Sequence, residues 1–252
     1  MPRGEPQPAF VLIRPQMGEN VGAAARAMWN FGLDLMRVVA PRDGWPQERA
    51  VALAAGAGRL LDEAMVTATT AGAVADAQFV YATTARPRDL VKPVLTPEAA
   101  MRDAALRIAR GERVAVLFGP ERTGMGNDDI ARAGAIVSVP VNPAFPSLNL
   151  GQCVLLMAYE WQRAAATMPQ AQPAVADGAS RAEVEALAAH YEDTLGEAGF
   201  FFPDHKAPAM KLNLRNLWSR LPLTAADVRM LHGLLRQMER RARRGPGPDG
   251  QG

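Results

Sequence analysis

Five short apolar runs, each followed by a stretch with helical spacing, constrain this chain more than any other feature. Phe10 to Ile13, Met36 to Val39, Phe79 to Ala82, Val114 to Phe118 and Ile136 to Val139 are bounded by Pro, Gly or polar residues, so each reads as a buried strand. Asn20 to Phe31, Glu48 to Ala57, Pro97 to Arg110, Asn127 to Ala133 and Leu148 to Ala166 read as the intervening helices. Such alternation predicts an α/β fold, a mostly parallel sheet covered by helices on both faces. Ligands in these sheets bind beyond the carboxyl ends of the strands.

The rhythm stops at Ala166. Residues 167 to 180, interrupted by Pro169, Pro173 and Gly178, read as a linker. Beyond it, Val184, Leu187, Ala188, Tyr191 and Leu195 recur at helical spacing and end near Gly196 and Gly199. Thr224-Ala-Ala-Asp227 resembles a cap before a second helix carrying Val228, Leu231, Leu234, Leu235 and Met238. The expected division is therefore 1–166, an α/β domain; 167–180, a linker; 181–244, a small helical domain; and 245–252, a Gly/Pro-rich disordered tail.

Composition narrows the function. A net charge of +2 sets up no field for a polyanion, so any nucleic-acid contact must come from local patches. The single cysteine, Cys153, excludes an internal disulfide framework. It reads as a small core residue. His190, His205 and His232 lie far from it without zinc-like spacing, so the chain is read as metal-free, with structural histidines. The first residues lack the apolar core of a signal peptide, and no run approaches the ~18 apolar residues of a membrane span. A cytoplasmic protein without membrane contact is expected.

Two blocks carry chemistry. Asn20-Val-Gly-Ala-Ala-Ala-Arg26 opens a helix on which Val21, Ala24, Ala25, Met28 and Phe31 share one arc, leaving Arg26 on the opposite side with Trp29 and Asn30. Arg26 is then either a solvated charge or a phosphate contact, and Asn20 either an N-cap or a ligand contact. The second block, Phe118-Gly-Pro-Glu-Arg-Thr-Gly-Met-Gly126, is a glycine-rich loop after a strand. The three prolines of Val139 to Pro146 make the next loop stiff and deliver Ser147 and Asn149 to a helix opening, where Ser147 is an N-cap or a ligand contact. Ile13-Arg-Pro-Gln-Met-Gly18 lacks G-x-G-x-x-G, which weighs against a dinucleotide enzyme.

Asn20-x-Gly-x-x-x-Arg26, Phe118-Gly-x-Glu121 with Gly124, and Asn142-Pro with Ser147-Leu-Asn-Leu150 resemble the three motifs of the TrmH-like branch of the SPOUT RNA methyltransferases. Leu53-Ala-Ala-Gly-Ala, Tyr81-Ala-Thr-Thr-Ala-Arg86 and Gly199-Phe-Phe-Phe-Pro-x-His205-Lys, continuing through Asn213-Leu-Arg-Asn216-Leu to Arg220-Leu-Pro-Leu-Thr224, further resemble its TrmJ subfamily. The likeness spans about residues 9 to 238.

The resemblance implies transfer of a methyl group from S-adenosylmethionine to a ribose 2′-oxygen of tRNA, at the first anticodon-loop nucleotide, position 32 in tRNA numbering. It also implies a homodimer with its active site at or near the subunit interface, and a trefoil knot within Phe118 to Ala166. Carried over, Thr83, Thr84, Ala85, Gly119, Val139, Pro146, Ser147 and Leu148 would line the cofactor pocket. Arg26, Asn20, Ser147 and Asn149 would form the reactive edge, with Arg26 reaching across the dimer. Pro120 stands where many relatives carry arginine, removing one phosphate contact. Lys206, Lys211, Arg215 and Arg220 beside Trp218, and the arginines from Arg236 to Arg244, form either a solvated face or a grip on tRNA. The rival readings are a SPOUT methyltransferase with another tRNA or rRNA target and a non-catalytic RNA-binding relative.

Overall fold

The computed structural model describes residues 6–42, 44–84, 91–167 and 178–244. Within them the chain forms β1 (Ala9–Ile13), α1 (Gly18–Asn30), β2 (Met36–Val39), α2 (Glu48–Ala54), α3 (Gly58–Asp62), β3 (Met65–Thr67), α4 (Thr70–Val74) and β4 (Phe79–Thr83). There follow β5 (Val94–Leu95), α5 (Pro97–Ala109), β6 (Val114–Phe118), α6 (Asn127–Ala131), β7 (Ala135–Val137) and α7 (Leu150–Ala165). Three long helices close the chain: α8 (Arg181–Glu197), α9 (Ala207–Arg220) and α10 (Ala225–Arg244).

The strands make one sheet in the order β3-β2-β1-β6-β4-β7-β5, and every pairing is parallel. Its central strands are buried on both faces because side chains alternate across a strand. Phe10, Leu12, Val116 and Phe118 pack on one side with α1, α5 and α7, while Val11, Ile13, Ala115 and Leu117 pack on the other with α4 and α6. Each such Val, Leu, Ile or Phe contributes about 1.5–3 kcal/mol by leaving water, several times an exposed ion pair. The apolar runs are therefore what hold the sheet together.

The five expected strands are present; β3 and β5 were not legible, and both are edge strands. Two or three residues long and largely exposed, they carry no apolar run and are recruited by the backbones of β2 and β7. The helix expected over Glu48 to Ala57 stops at Ala54, because Ala55 and Gly56 take φ of 42° and 71°, and α3, which follows at Gly58, lies beyond the expected range. The first helix opens at Gly18 rather than Asn20, and the last sheet helix at Leu150 rather than Leu148. No helix among the described residues is long and apolar enough to cross a membrane.

Past the sheet, α8, α9 and α10 share a small core of Val184, Leu187, Ala188, Trp218 and Val228. Ser180 and Glu183 cap α8 reciprocally, and Thr224 and Asp227 do the same for α10, as the sequence suggested for the latter. This unit docks on the sheet: Arg181 and Ala182 donate their backbone N–H groups to Ala77 and Ala75, and Leu212 packs on the α4–α6 side. Most of the expected linker, residues 168–177, and the expected tail, 245–252, lie outside the described residues.

Candidate active site

A cavity of about 240 Å³ opens where β4, β6 and β7 end, closed on one side by the first turns of α7. This is the crevice at the strands' carboxyl ends that parallel topology provides. Of the eight residues assigned to a cofactor pocket, Thr83, Thr84, Gly119, Val139, Pro146, Ser147 and Leu148 all line it; Ala85 lies outside the described residues. Val137, Leu150 and Cys153 complete an apolar wall, and the charged lining groups are Glu121 and Arg122. Among the described residues the backbone N–H groups of Val139, Ser147 and Leu148 donate to no protein acceptor. The apolar wall, with backbone donors left over beside it, suits a flat, uncharged heterocycle.

Gly119 lines the cavity and also shapes it. A Cβ there would lie 2.6 Å from the Met125 backbone nitrogen. The loop folds back on itself, with the Gly124 N–H donating to Pro120 O at 2.9 Å, and glycine is required for that close approach.

Beside the cavity the three motif blocks meet through side chains. Glu121 accepts from the Asn20 Nδ2 at 2.9 Å with one oxygen and from the Gln16 N–H at 3.1 Å with the other. Asn20 Oδ1 accepts from Asn149 Nδ2 at 2.7 Å, and Asn149 Oδ1 accepts from the Gly151 N–H at 2.8 Å. Asn20 is thus no N-cap but a nearly buried residue inside α1, while Asn149, not Ser147, caps α7 in a reciprocal box with Gln152. Ser147 is left exposed on the cavity wall. Glu121, quoted in the motif but given no role, anchors the chain of bonds; its signal was a lone carboxylate in a glycine-rich loop.

Arg26 is exposed, on the side of α1 away from the core, with no hydrogen bond or ion pair among the described residues, and it does not line the cavity of its own chain. On the same two helices, α1 exposes part of Trp29, under the Arg59 guanidinium, and α7 exposes Leu155, Leu156 and Tyr159. Cys153, read as a core residue, packs against the core but also faces the cavity; burial pushes its thiol up to about 11, keeping it neutral.

In the C-terminal helices the aromatic expected beside the basic residues is not available. Trp218 is buried against Tyr191, with ring centroids 4.9 Å apart, and Arg215 is engaged by Glu192 at 3.1 Å. His190 Nδ1 lies 2.8 Å from His232 Nδ1, and His190 Nε2 lies 3.1 Å from Glu239, joining α8 to α10.

Comparison with known proteins agrees with this geometry. Residues 7–159 match the SpoU rRNA methylase family, and residues 182–247 match the C-terminal domain of the tRNA methyltransferase TrmJ. The chain is 35% identical to the tRNA (cytidine/uridine-2′-O-)-methyltransferase TrmJ of Klebsiella pneumoniae over 91% of its own length and 95% of that protein's. It is 32% identical to the tRNA (cytidine/uridine/adenosine-2′-O-)-methyltransferase TrmJ of Pseudomonas aeruginosa, over 92% and 94%. The crystal structure of TrmJ from Z. mobilis ZM4 superposes with a TM-score of 0.82 at 47% identity, covering 92% of this chain and 99% of that one.

Proposed function

The chain belongs to the SpoU rRNA methylase family, and on that premise we propose that it is a tRNA (cytidine/uridine-2′-O-)-methyltransferase using S-adenosylmethionine. The observation that carries the reading is the bonded chain Glu121–Asn20–Asn149 at the edge of a cavity with an apolar wall, which fastens three distant motifs into one site. Position 32, the first nucleotide of the anticodon loop, is the proposed target.

Thr83, Thr84, Gly119, Val139, Pro146, Ser147 and Leu148 would hold the methyl donor, the N–H groups of Val139, Ser147 and Leu148 matching an adenosyl group and the apolar wall matching its ring. When bound, S-adenosylmethionine supplies a methyl group on a sulfonium, already a good leaving group. The protein's task is then positioning and stabilisation of charge. The accepting ribose hydroxyl is a weak nucleophile until its proton leaves, and the oxygen gains negative charge as it does so. A guanidinium does not act as the base, because it keeps its proton at neutral pH. Arg26 instead holds the neighbouring phosphate and stabilises the developing charge on the 2′-oxygen. Ser147 orients the reactants, and Asn20 and Asn149 lock the rim that carries it.

Arg26 serves the cavity of a second copy. The exposed apolar groups Leu155, Leu156 and Tyr159 on α7 support a homodimer involving that helix, and the lack of a partner for Arg26 among the described residues supports its use across the interface. A trefoil knot within Phe118 to Ala166 belongs to the same reading; the insertion of β6 between β1 and β4, with β7 beyond β4, supports it.

Mass spectrometry of tRNA treated with the enzyme tests the reaction: new ribose methylation at the first anticodon-loop nucleotide is expected, and its absence overturns the target. Single-turnover kinetics test Arg26. Arg26→Ala should slow methyl transfer about a hundredfold or more, Arg26→Lys less, and full activity of the alanine variant would remove Arg26 from the mechanism.

A further inference from the structure

The C-terminal helices carry an aromatic corner that the reaction does not use. Phe200 and Phe202, between α8 and α9, are 55% and 77% exposed, an unusual state for large rings. Their backbone is fixed. Gly199 takes φ of +75°, and α8 ends with the Phe200 N–H donating to Leu195 O at 2.9 Å and the Gly199 N–H to Gly196 O at 3.0 Å, a closure that glycine makes without strain. The Phe202 N–H then donates to Phe200 O at 3.0 Å, and a short 3-10 turn, Asp204–Lys206, leads into α9. Rings presented this way lose little freedom on binding.

Cations flank the rings. Lys211 Nζ stands 5.2 Å over the ring of Phe201, which lies 5.4 Å from Phe200, and Lys206 is exposed one turn away. Among the described residues neither lysine has a carboxylate partner, although Asp204 shares the turn. We infer that this corner is a stacking platform for unpaired bases of the RNA substrate, with Lys206 and Lys211 on the adjacent phosphates; the inference rests on the tRNA reading above. Rings alternating with ammonium groups that no described carboxylate neutralises match the alternation of base and phosphate along a single strand, whereas an apolar protein partner has no use for those charges.

The test uses the full chain with Phe200→Ala/Phe202→Ala, Phe202→Leu and Phe202→Trp. Binding of unmodified tRNA, methyl transfer at saturating tRNA, and sedimentation are measured for each. The double alanine variant should bind tRNA about tenfold or more weakly, with unchanged rate at saturation and unchanged sedimentation. Phe202→Trp should retain affinity, and Phe202→Leu should lose it. Unchanged tRNA binding by the double variant, in an enzyme whose wild type methylates tRNA, overturns the platform alone. Leucine serving as well as tryptophan, or a shift in sedimentation, shows a contact between protein copies and also overturns it. A wild type that neither binds nor methylates tRNA overturns this inference together with the function it rests on.

Discussion

The cavity end of the sheet is fastened by amides around a single carboxylate, whereas the C-terminal helices are fastened to the sheet by buried cations. At the first, Glu121, Asn20 and Asn149 satisfy one another and one backbone N–H at each end. At the second, Lys92 is buried with its ammonium on Ala131 O at 3.2 Å, Ala133 O and Ser219 Oγ at 2.8 Å. Arg181, also buried, donates to Ser219 O at 3.2 Å, and Arg132 pairs with Glu185. The amide chain fixes side-chain directions at the cavity rim without a lysine or histidine in it. The cationic joint ties α8 and α9 to the sheet, and it titrates: burial, with Arg181 and Arg220 nearby, pushes Lys92 down to about 7.

The largest expected effect tests the first region. Gly119→Val drives a side chain into the Met125 backbone, so calorimetry should show S-adenosylmethionine binding weakened about a hundredfold or more while the sheet stays folded. Normal binding would mean that the loop's shape does not make the cavity. A smaller loss is expected from Glu121→Gln. Two donors face the two carboxylate oxygens, and an amide offers one acceptor, so one donor meets another. That costs about 1–3 kcal/mol of local order. Methyl transfer should fall about tenfold with tRNA affinity retained, and an unaltered rate would strip the amide chain of its positioning role.

The smallest effect belongs to the cationic joint. Between about 7 and the ordinary 10.5 the unfolded chain holds the Lys92 proton and the folded chain does not, so this group makes stability rise with pH across that window. Below it both states are protonated and the contribution is flat. Urea unfolding at several pH values should therefore show wild type gaining on Lys92→Met by about 1 kcal/mol per pH unit above neutrality. Parallel curves for the two proteins would place the joint's strength elsewhere.

What was legible follows from what is local. β1 and β6 announced themselves because every residue is buried, leaving no polar residue to break the run. β3 and β5 had no such signal, since an exposed edge strand exists only by pairing with its neighbour. The cavity-lining residues were reached through the resemblance, while periodicity alone left Asn20 and Ser147 each with two readings. Trp218 illustrates the converse: its neighbours in sequence are basic, yet its ring is in the core because helical spacing turns it toward Tyr191.

By itself the sequence determined the parallel α/β sheet and the direction in which its loops open, because alternating apolar runs and helical faces are properties of neighbouring residues. Only the tertiary structure decided that Asn20 would lie between Glu121 and Asn149, partners 101 and 129 positions away. Their meeting depends on β6 being inserted beside β1 and on α7 returning to α1, and sheet order of that kind is set by the packing of the whole fold rather than by any local pattern.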